Sequence, residues 1–163
     1  MALAIEELDP KRHDRAGFDC GVEPLNRYLR TLATQHRTKG IATTFVLVDA
    51  TATAKILGYY SLSAASLAFE RLTDADRTGL PSYPIPAVRI GRFAASAAHR
   101  GQRLGELLLQ NATKRTLVAR HSLGVYAVLV EAKDAAAEDF YRKYGFRLCN
   151  ENTRQLYLPL GRG

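Results

Sequence analysis

The stretch that most constrains the fold of this chain runs from Val88 to Leu109, with the sequence VRIGRFAASAAHRGQRLGELLL. It begins with an apolar-rich segment, passes through small residues to a basic, glycine-bearing turn, and ends in a leucine-rich run. The apolar residues after the turn recur at helical spacing, whereas the first segment has the composition of a strand. The stretch therefore predicts a strand that leads through a tight turn into a helix.

The turn, RGQRLG, has three properties that favour an anion. Gly101 and Gly105 let the backbone approach a ligand closely, and the first N–H groups of a helix have no partner within it. Arg100 and Arg103 add forked, positively charged donors that suit a pyrophosphate. The same glycine spacing also occurs in plain strand-to-helix connections, so the turn alone leaves both interpretations open. The following helix is predicted to bury one face, formed by Leu104, Leu107, Leu108 and Ala112.

A second segment, Val125 to Phe146, has the sequence VYAVLVEAKDAAAEDFYRKYGF. It predicts a strand, a break, and a helix that carries Phe140, Tyr141 and Tyr144 and ends at Gly145. Together the two segments resemble the GCN5-related N-acetyltransferases (GNAT), in which a Gln/Arg-x-x-Gly-x-Gly/Ala turn holds the pyrophosphate of acetyl-CoA. The resemblance implies acetyl-CoA as the co-substrate.

The match to the family turn has one departure. Arg100 occupies the first motif position and Gly105 the last, but Arg103 stands where the family usually has glycine or alanine. We expect Arg103 to take helical backbone angles without strain and to add a phosphate contact. The backbone of Phe93, Ala94 and Ala95 would contact pantetheine. The rest of the cofactor site implied by the resemblance comprises Arg100, Gly101, Gln102, Arg103, Leu104, Gly105, Glu106, Lys133, Ala137, Phe140 and Tyr144.

Tyr141 is the predicted catalytic residue, because its position in FYRKYGF matches the family tyrosine that faces the CoA sulfur. Taken alone, a Phe-Tyr pair on a helix is more often core, and Tyr144 is the competing candidate. Reference pKa values of about 10 for tyrosine and about 8.5 for a thiol make full proton transfer to the thiolate uphill by roughly 2 kcal/mol. We therefore expect Tyr141 to donate a hydrogen bond to the developing thiolate.

The sequence offers little in the way of a general base. Glu131, at the end of its strand, is the only candidate, and the histidines lie in polar contexts that predict surface positions: His13, His36, His99 and His121. An α-amine, with a reference pKa of about 7.7 to 8.0, needs a base less than a lysine side chain near 10.4. This favours an α-amine acceptor and leaves open aminoacyl-tRNA, free amino acids and protein N-termini.

Composition adds the class of partner. The 163 residues fit one domain, residues 1–163. The 23 Lys plus Arg against 16 Asp plus Glu give a net charge of +7, which favours polyanions as binding partners.

Cys20 and Cys149 lie far apart without a histidine cluster, so we expect no disulfide, no zinc and no other metal. No apolar run resembles a secretion signal or a membrane span, so we expect a soluble, cytoplasmic protein.

The remaining segments predict alternating elements. The predicted strands are Leu3 to Leu8, Thr43 to Val48, Ile56 to Leu62, Arg147 to Cys149 and Gln155 to Leu160, with a hairpin joining the second and third and a turn over Asn150 to Thr153. A helix is predicted from Asp14 to Ala33, with Pro24 in its first turn and Leu25, Tyr28, Leu29 and Leu32 on one face. Ala64 to Pro86 is predicted as a loop with a short helix at Thr73 to Arg77, Ser82 to Pro86 is unsuited to a central strand, and Gly161 to Gly163 should fray.

This order predicts an α/β fold with a mixed, mostly antiparallel central sheet and helices on both faces. The GNAT resemblance adds a splayed strand pair, in which the strand with Arg92 to Ala95 diverges from the strand with Val125 to Val130 and acetyl-CoA lies in the gap.

A narrower resemblance includes the N-terminal half. The segments FDCGVEPLNRYL, ILGYYSLS, IGRFAAS and AAAEDFYRKYGF are together similar to the TacT/AtaT-type acetyltransferase toxins. That resemblance implies N-acetylation of aminoacyl-tRNA, which blocks translation, a ribbon-helix-helix antitoxin, and a homodimer.

Candidate phosphate contacts for a tRNA come from the excess of arginine and lysine. They are Arg27, Arg30, Arg37, Lys39, Arg77, Arg89 and Arg92. Arg92 precedes Phe93 in a strand and should point to the opposite face. Two other functions stay open: a housekeeping acetyltransferase of a small amine or protein N-terminus, and a catalytically silent protein of this fold that binds nucleic acid or a partner.

Overall fold

The computed structural model describes residues 2–150 and 153–161. Its strands are β1 Leu3–Glu7, β2 Thr43–Asp49, β3 Ala52–Leu67, β4 Ile85–Ala95, β5 Ala127–Glu131, β6 Arg147–Leu148 and β7 Gln155–Pro159. Its α-helices are α1 Glu23–Arg27, α2 Ala33–Thr38, α3 Asp74–Arg77, α4 Leu104–Ala119 and α5 Ala135–Lys143, with a π-helical turn at Tyr28–Leu32 and 3₁₀ turns at Phe69–Arg71 and Ala97–His99. The sheet order is β1-β2-β3-β4-β5-β7-β6. This mostly antiparallel sheet with helices confirms the predicted fold class.

The chain divides into two compact units, the first of which comprises Met1–Ser63 and Ile90–Lys114. In this unit β1 and β2 pair antiparallel, and β2 and β3 form the predicted hairpin. Its core contains a run of aromatic rings, in which Tyr59 contacts Phe18 at 5.7 Å and stacks on Tyr28 at 6.4 Å between centroids. The buried Tyr59 hydroxyl donates to the Leu25 carbonyl at 2.7 Å, which ties the first helix to the sheet.

The predicted helix from Asp14 to Ala33 is wrong in its first part, because helix begins only at Glu23. Asp14 instead donates its N–H to the Ala54 carbonyl at 2.7 Å and accepts from Gly17 N–H at 3.2 Å, bonds that compete with a helix. From Glu23 the helix continues to Thr38 through the π-helical turn. That wider turn shifts the helical phase, so Leu32 is 38% exposed rather than part of the buried face.

Gly58 on β3 marks a close approach within the first unit. A Cβ at this position would lie 2.9 Å from Leu108 Cδ1 and 3.0 Å from the Ala94 carbonyl oxygen. Leu104, Leu108 and Ala112 are buried as predicted, whereas Leu107 is 37% exposed and does not belong to that face. The start of α4 therefore packs tightly against β3 because residue 58 has no side chain.

The second unit comprises Ala64–Arg89 and Arg115–Gly163. Here β4 and β5 pair in parallel from Ala87↔Ala127 to Arg89↔Leu129, while β7 pairs antiparallel with both β5 and β6. The parallel register between β4 and β5 comprises three residue pairs and ends at Arg89↔Leu129. Its core is formed by Leu67, Leu72, Ile85, Ala87, Ala127, Leu129, Cys149 and Tyr157.

Several predicted boundaries need correction. β3 extends to Leu67, into the predicted loop, and β4 begins at Ile85, so Pro86 lies in a strand between β3 and β5 in the sheet order. Proline fits there because it is the second residue of the strand and its carbonyl accepts from Tyr126 N–H at 2.8 Å. The predicted turn over residues 150–153 and the predicted fraying of residues 161–163 lie partly outside the described residues.

No helix among residues 2–150 and 153–161 is long and apolar enough to cross a lipid bilayer.

We expect Gly58→Ala to lower the free energy of unfolding by about 1 to 3 kcal/mol, because the new methyl group overpacks Leu108 and a backbone oxygen. Chemical denaturation measures this change. Gly124→Ala is the control, since nothing lies within 4 Å of a Cβ there, and it should change stability by less than about 0.5 kcal/mol. Equal stability of the two variants would show that the close approach at residue 58 is absent.

Candidate active site

The basic turn lies in the first unit, between the end of β4 and the start of α4. Ser96 N–H donates to the Leu57 carbonyl at 2.8 Å, which holds the end of β4 against β3. Gln102 N–H then donates to the His99 carbonyl at 3.3 Å, and α4 begins at Leu104. Arg100, Gly101, Gln102 and Arg103 are exposed, while the buried Leu104 anchors the helix start. An exposed basic turn at the N-terminus of a helix of 16 residues can bind a phosphate group.

The expectation that Arg103 has helical backbone angles is wrong. Its φ is +59°, which makes it the one non-glycine residue with positive φ among the described positions. Gly101, two residues earlier, has φ +85°. The turn thus needs left-handed backbone at both positions, and a glycine at position 103 would meet that need without strain. A side chain there costs roughly 1 to 2 kcal/mol.

Strand β4 ends beside the turn with Arg92 to Ala95. The Arg92 guanidinium carbon lies 4.6 Å from the centroid of the Tyr28 ring, a cation–π contact. Ala94 is buried in the same core cluster as Tyr28, so Arg92 and Ala94 share one face of β4 and Phe93 points to the other. Tyr28 in turn bonds through its hydroxyl to His36 Nδ1 at 3.0 Å. Arg92 is therefore an exposed cation that lies against the Tyr28 ring. The sequence did not predict this contact.

Tyr141 lies in the second unit, on α5. Asp134 caps the start of the helix, because its carboxylate accepts from Ala137 N–H at 2.8 Å. After the helix ends at Lys143, Phe146 N–H donates to the Tyr141 carbonyl at 3.2 Å. The Tyr141 ring is buried and contacts the rings of Phe140 and Phe146, each at 5.4 Å between centroids. Burial raises the pKa of Tyr141 to about 12. Its phenol therefore stays protonated at physiological pH and is available to donate a hydrogen bond.

The other predicted residues of α5 are less buried. Tyr144 contacts Phe140 at 5.2 Å, and the Lys143 ammonium lies 5.6 Å above its ring. Ala137 is half-buried, and Lys133 is exposed in the link between β5 and α5. Tyr144 is thus more accessible than Tyr141, and the two tyrosines differ clearly in environment.

Glu131 ends β5 and forms an ion pair with Arg89 at 3.5 Å. Its side chain is 68% exposed. A cavity of about 460 Å³ lies beside it within the second unit. The cavity lining includes Ser66, Arg71, Glu131, Arg154 and Gln155. Both signs of charge line this cavity, which suits a polar or zwitterionic group.

The candidate tRNA contacts are distributed over both units. Arg37, Lys39 and Arg92 belong to the first unit, and Arg77 and Arg89 to the second. Arg37 pairs with Glu7 at 3.0 Å and Arg77 with Asp74, in addition to the Arg89 pair with Glu131. Exposed ion pairs contribute about 0 to 1 kcal/mol, so phosphates can compete for these cations. Arg30 likewise pairs with Glu23 at 2.7 Å.

Not all histidines lie at the surface as predicted. His13 is buried, with its Nε2 2.7 Å from Glu6 Oε1 and its Nδ1 accepting from Asp9 N–H at 2.9 Å. His36 is half-buried beside Tyr28, and His99 bonds to Ser96 Oγ at 3.0 Å. The buried His13 lies in a structural network at the start of the chain. Within the described residues, no group of three or more His, Cys, Asp or Glu could hold a metal ion.

The chain is similar to known proteins in both sequence and fold. A family profile described as "Acetyltransferase (GNAT) domain" matches residues 43–148. In sequence, the chain is 26% identical over 164 residues to "Probable toxin TacT" of Sinorhizobium fredii, with 96% of this chain and 90% of the relative covered. It is 29% identical over 145 residues to "tRNA-acetylating toxin" of Mycobacterium tuberculosis, with 89% of this chain and 85% of the relative covered.

Solved structures are similar over nearly the whole chain. A tyrosine-to-phenylalanine mutant of KacT superposes with a TM-score of 0.91 at 30% identity, covering 98% of this chain and 95% of the other. AtaT complexed with acetyl-methionyl-tRNAfMet gives 0.89 at 31% identity, with 96% and 94% covered. A mutant of AtaT bound to the C-terminus of the antitoxin AtaR and acetyl-CoA gives 0.79 at 29% identity, with 98% and 94% covered.

The backbone at residue 103 generates a stability prediction. Arg103→Gly should leave the free energy of unfolding unchanged or raise it by up to about 1 kcal/mol, because relief of the left-handed strain outweighs the added freedom of the unfolded chain. Arg103→Val should lower it by about 1 to 2 kcal/mol, because a branched side chain tolerates positive φ poorly. Denaturant titration compares the two. A valine variant as stable as the parent would contradict the φ of +59°.

Proposed function

The chain belongs to the GNAT acetyltransferase family, and from this premise we propose that it transfers the acetyl group of acetyl-CoA to the α-amino group of aminoacyl-tRNA and so blocks translation. The observation that carries the proposal is similarity over the full fold. The structural relative AtaT, complexed with acetyl-methionyl-tRNAfMet, matches 96% of this chain with a TM-score of 0.89. The sequence relative from M. tuberculosis is named a tRNA-acetylating toxin.

We assign the pyrophosphate of acetyl-CoA to the basic turn. The N–H groups at the start of α4 and the guanidinium groups of Arg100 and Arg103 would bind the phosphate oxygens. The left-handed Gly101 lets the backbone turn toward them. Phe93, Ala94 and Ala95 would offer backbone groups to pantetheine. Gln102, Leu104, Gly105 and Glu106 complete the turn, and Lys133, Ala137, Phe140 and Tyr144 are assigned to the cofactor site on the second unit.

We assign the proton transfer to Tyr141. The neutral amine attacks the thioester carbonyl, the carbon–sulfur bond breaks, and the departing thiolate needs a proton that the amine must lose. With a Tyr141 pKa of about 12 and a thiol near 8.5, full transfer from the phenol to the thiolate is uphill by about 5 kcal/mol. Tyr141 therefore stabilises the thiolate by a hydrogen bond, and it releases its proton only as the ammonium replaces it.

We propose an α-amine as the acetyl acceptor because the chain offers no strong candidate for a general base. Glu131 is the base candidate, but it is exposed and paired with Arg89, so it is a weak one. An α-amine, near pKa 7.7 to 8.0, is already partly neutral at pH 7 and needs little help. The net charge of +7 favours an acceptor that carries many phosphates. Arg92, Arg89, Arg77, Arg37 and Lys39 are the proposed tRNA contacts.

The proposal extends to partners and place of action. AtaT binds the C-terminus of the antitoxin AtaR, and we propose that an antitoxin restrains this chain too, with the ribbon-helix-helix class and a homodimer as the finer expectations. Charged tRNA is cytoplasmic, so we propose that the reaction occurs there. We also propose that residues 1–163 act as one acetyltransferase domain.

Tyr141→Phe should lower the acetylation rate by roughly 10²- to 10⁴-fold while acetyl-CoA still binds, because the change removes only the proton donor. Tyr144→Phe is the matched control, since Tyr144 directly follows the same helix, and it should cost less than about tenfold. Thiol release in single-turnover reactions measures the rates, and calorimetry measures binding. Near-full turnover by the Tyr141 variant would remove it from the chemistry.

Added to a cell-free translation system, the protein should stop synthesis only when acetyl-CoA is present. Arg92→Glu should relieve the arrest by roughly tenfold or more through lost phosphate contact, without weakening acetyl-CoA binding. Lys114→Glu changes the net charge equally at another exposed site of the first unit and should have little effect. Arrest without acetyl-CoA would favour the silent binding protein, and no arrest at all would favour a housekeeping acetyltransferase.

A further inference from the structure

The segment Phe18–Gly21, which the sequence linked to the toxins without a role, lies against the basic turn in the first unit. Ala97 N–H, in the link between β4 and α4 three residues before the turn, donates to the Asp19 carbonyl at 2.9 Å. The residues on either side of Asp19, Phe18 and Cys20, are buried in the core. The Asp19 carbonyl is therefore held in place from both sides. The link between β4 and α4 is therefore braced from outside by a segment distant in sequence.

Gly21 lies close to the side chain of Arg100, the first residue of the turn. Its φ is +83°, and a Cβ there would lie 3.0 Å from Nη2 of Arg100 and 4.0 Å from the Ala97 Cβ. A distance of 3.0 Å between a Cβ and a nitrogen atom is shorter than an ordinary van der Waals contact. The guanidinium of Arg100 thus occupies space that exists because residue 21 lacks a side chain.

The loop that presents Gly21 is held by a chain of hydrogen bonds. The Asp19 carboxylate accepts from Gly21 N–H at 2.8 Å and from Asn26 Nδ2 at 3.0 Å. Asn26 is buried on α1, and its Oδ1 accepts from Cys20 N–H at 2.9 Å. The bonds from Gly21 and Asn26 lower the pKa of Asp19, and the charge of Arg100 also lowers it. The carboxylate is therefore ionised at neutral pH and keeps the loop closed.

An exposed arginine normally samples many rotamers, and a ligand that binds it must stop that motion at a cost of up to about 2 kcal/mol. Contact with a fixed backbone on one side reduces the rotamers available before the ligand arrives. We propose that the segment Phe18–Gly21 positions Arg100 for phosphate binding, with Gly21 as the positioning residue. This inference rests on the proposed role of the basic turn in acetyl-CoA binding.

Three variants and one double variant test it by calorimetry with acetyl-CoA. Arg100→Ala should weaken binding by about 10- to 30-fold, the loss of a charge-assisted contact. Gly21→Ala should weaken it by about 3- to 10-fold, because its methyl group displaces the guanidinium. Gly40→Ala is the matched control: Gly40 has φ +74° and nothing within 4 Å of a Cβ, so it carries the same backbone strain without the contact, and binding should not change.

The double variant Gly21→Ala with Arg100→Ala separates positioning from a general structural effect. If residue 21 acts through the guanidinium, the double variant should bind acetyl-CoA as weakly as Arg100→Ala alone, because no guanidinium remains to be displaced. Additive losses, or a Gly21→Ala affinity equal to that of Gly40→Ala, would overturn the positioning role. An unchanged affinity in Arg100→Ala would instead contradict the proposed phosphate role of the turn, and the positioning role with it.

Discussion

The close approach of α4 to β3 at Gly58 is the constraint on which the proposed phosphate site depends. Because residue 58 has no side chain, Leu108 of α4 and the Ala94 carbonyl of β4 both lie against it. The end of β4 and the start of α4 are thus fixed within one compact unit, and the connection must turn sharply between them. The positive φ values of Gly101 and Arg103 are the local consequence. Strain at Arg103 is retained because the surrounding packing determines the turn.

A different physical effect governs the proposed proton donor. Tyr141 lies among the rings of Phe140 and Phe146, and Gly145, with φ +92°, ends the helix so that Phe146 can return onto it. Burial raises the phenol pKa to about 12, which keeps the donor protonated but makes it a poor acid. Such a residue can stabilise a thiolate by hydrogen bonding, but it cannot drive deprotonation of a basic amine. The proposed chemistry therefore depends on an acceptor that is already partly neutral.

Local signals allowed the sequence to predict α5 and its neighbours. Gly145 marks the end of the helix in the sequence, whereas the cap at Asp134 is seen only in the structure. The π-helical turn at Tyr28–Leu32 has no such signal, so the exposure of Leu32 was not foreseen. The sequence also predicts helix for the segment from Asp14 to Val22, where the structure has none. This segment is held instead by hydrogen bonds from Asp14 to the Ala54 carbonyl and from Cys20 to the Asn26 side chain, and the sequence pattern does not reveal these partners. At Arg103 the departure from the family turn is visible in the sequence, whereas the left-handed backbone at this position is evident only from the structure.

The most direct test of the proposed function is the identity of the acetylated product. Purified protein, acetyl-CoA labelled in the acetyl group and total aminoacylated tRNA would be incubated together, digested with ribonuclease and analysed by mass spectrometry. Our account predicts labelled N-acetyl-aminoacyl-adenosine, and no label on tRNA that was deacylated beforehand. Label found only on free amines, on protein N-termini or on no product, with the charged tRNA unmodified, would contradict it.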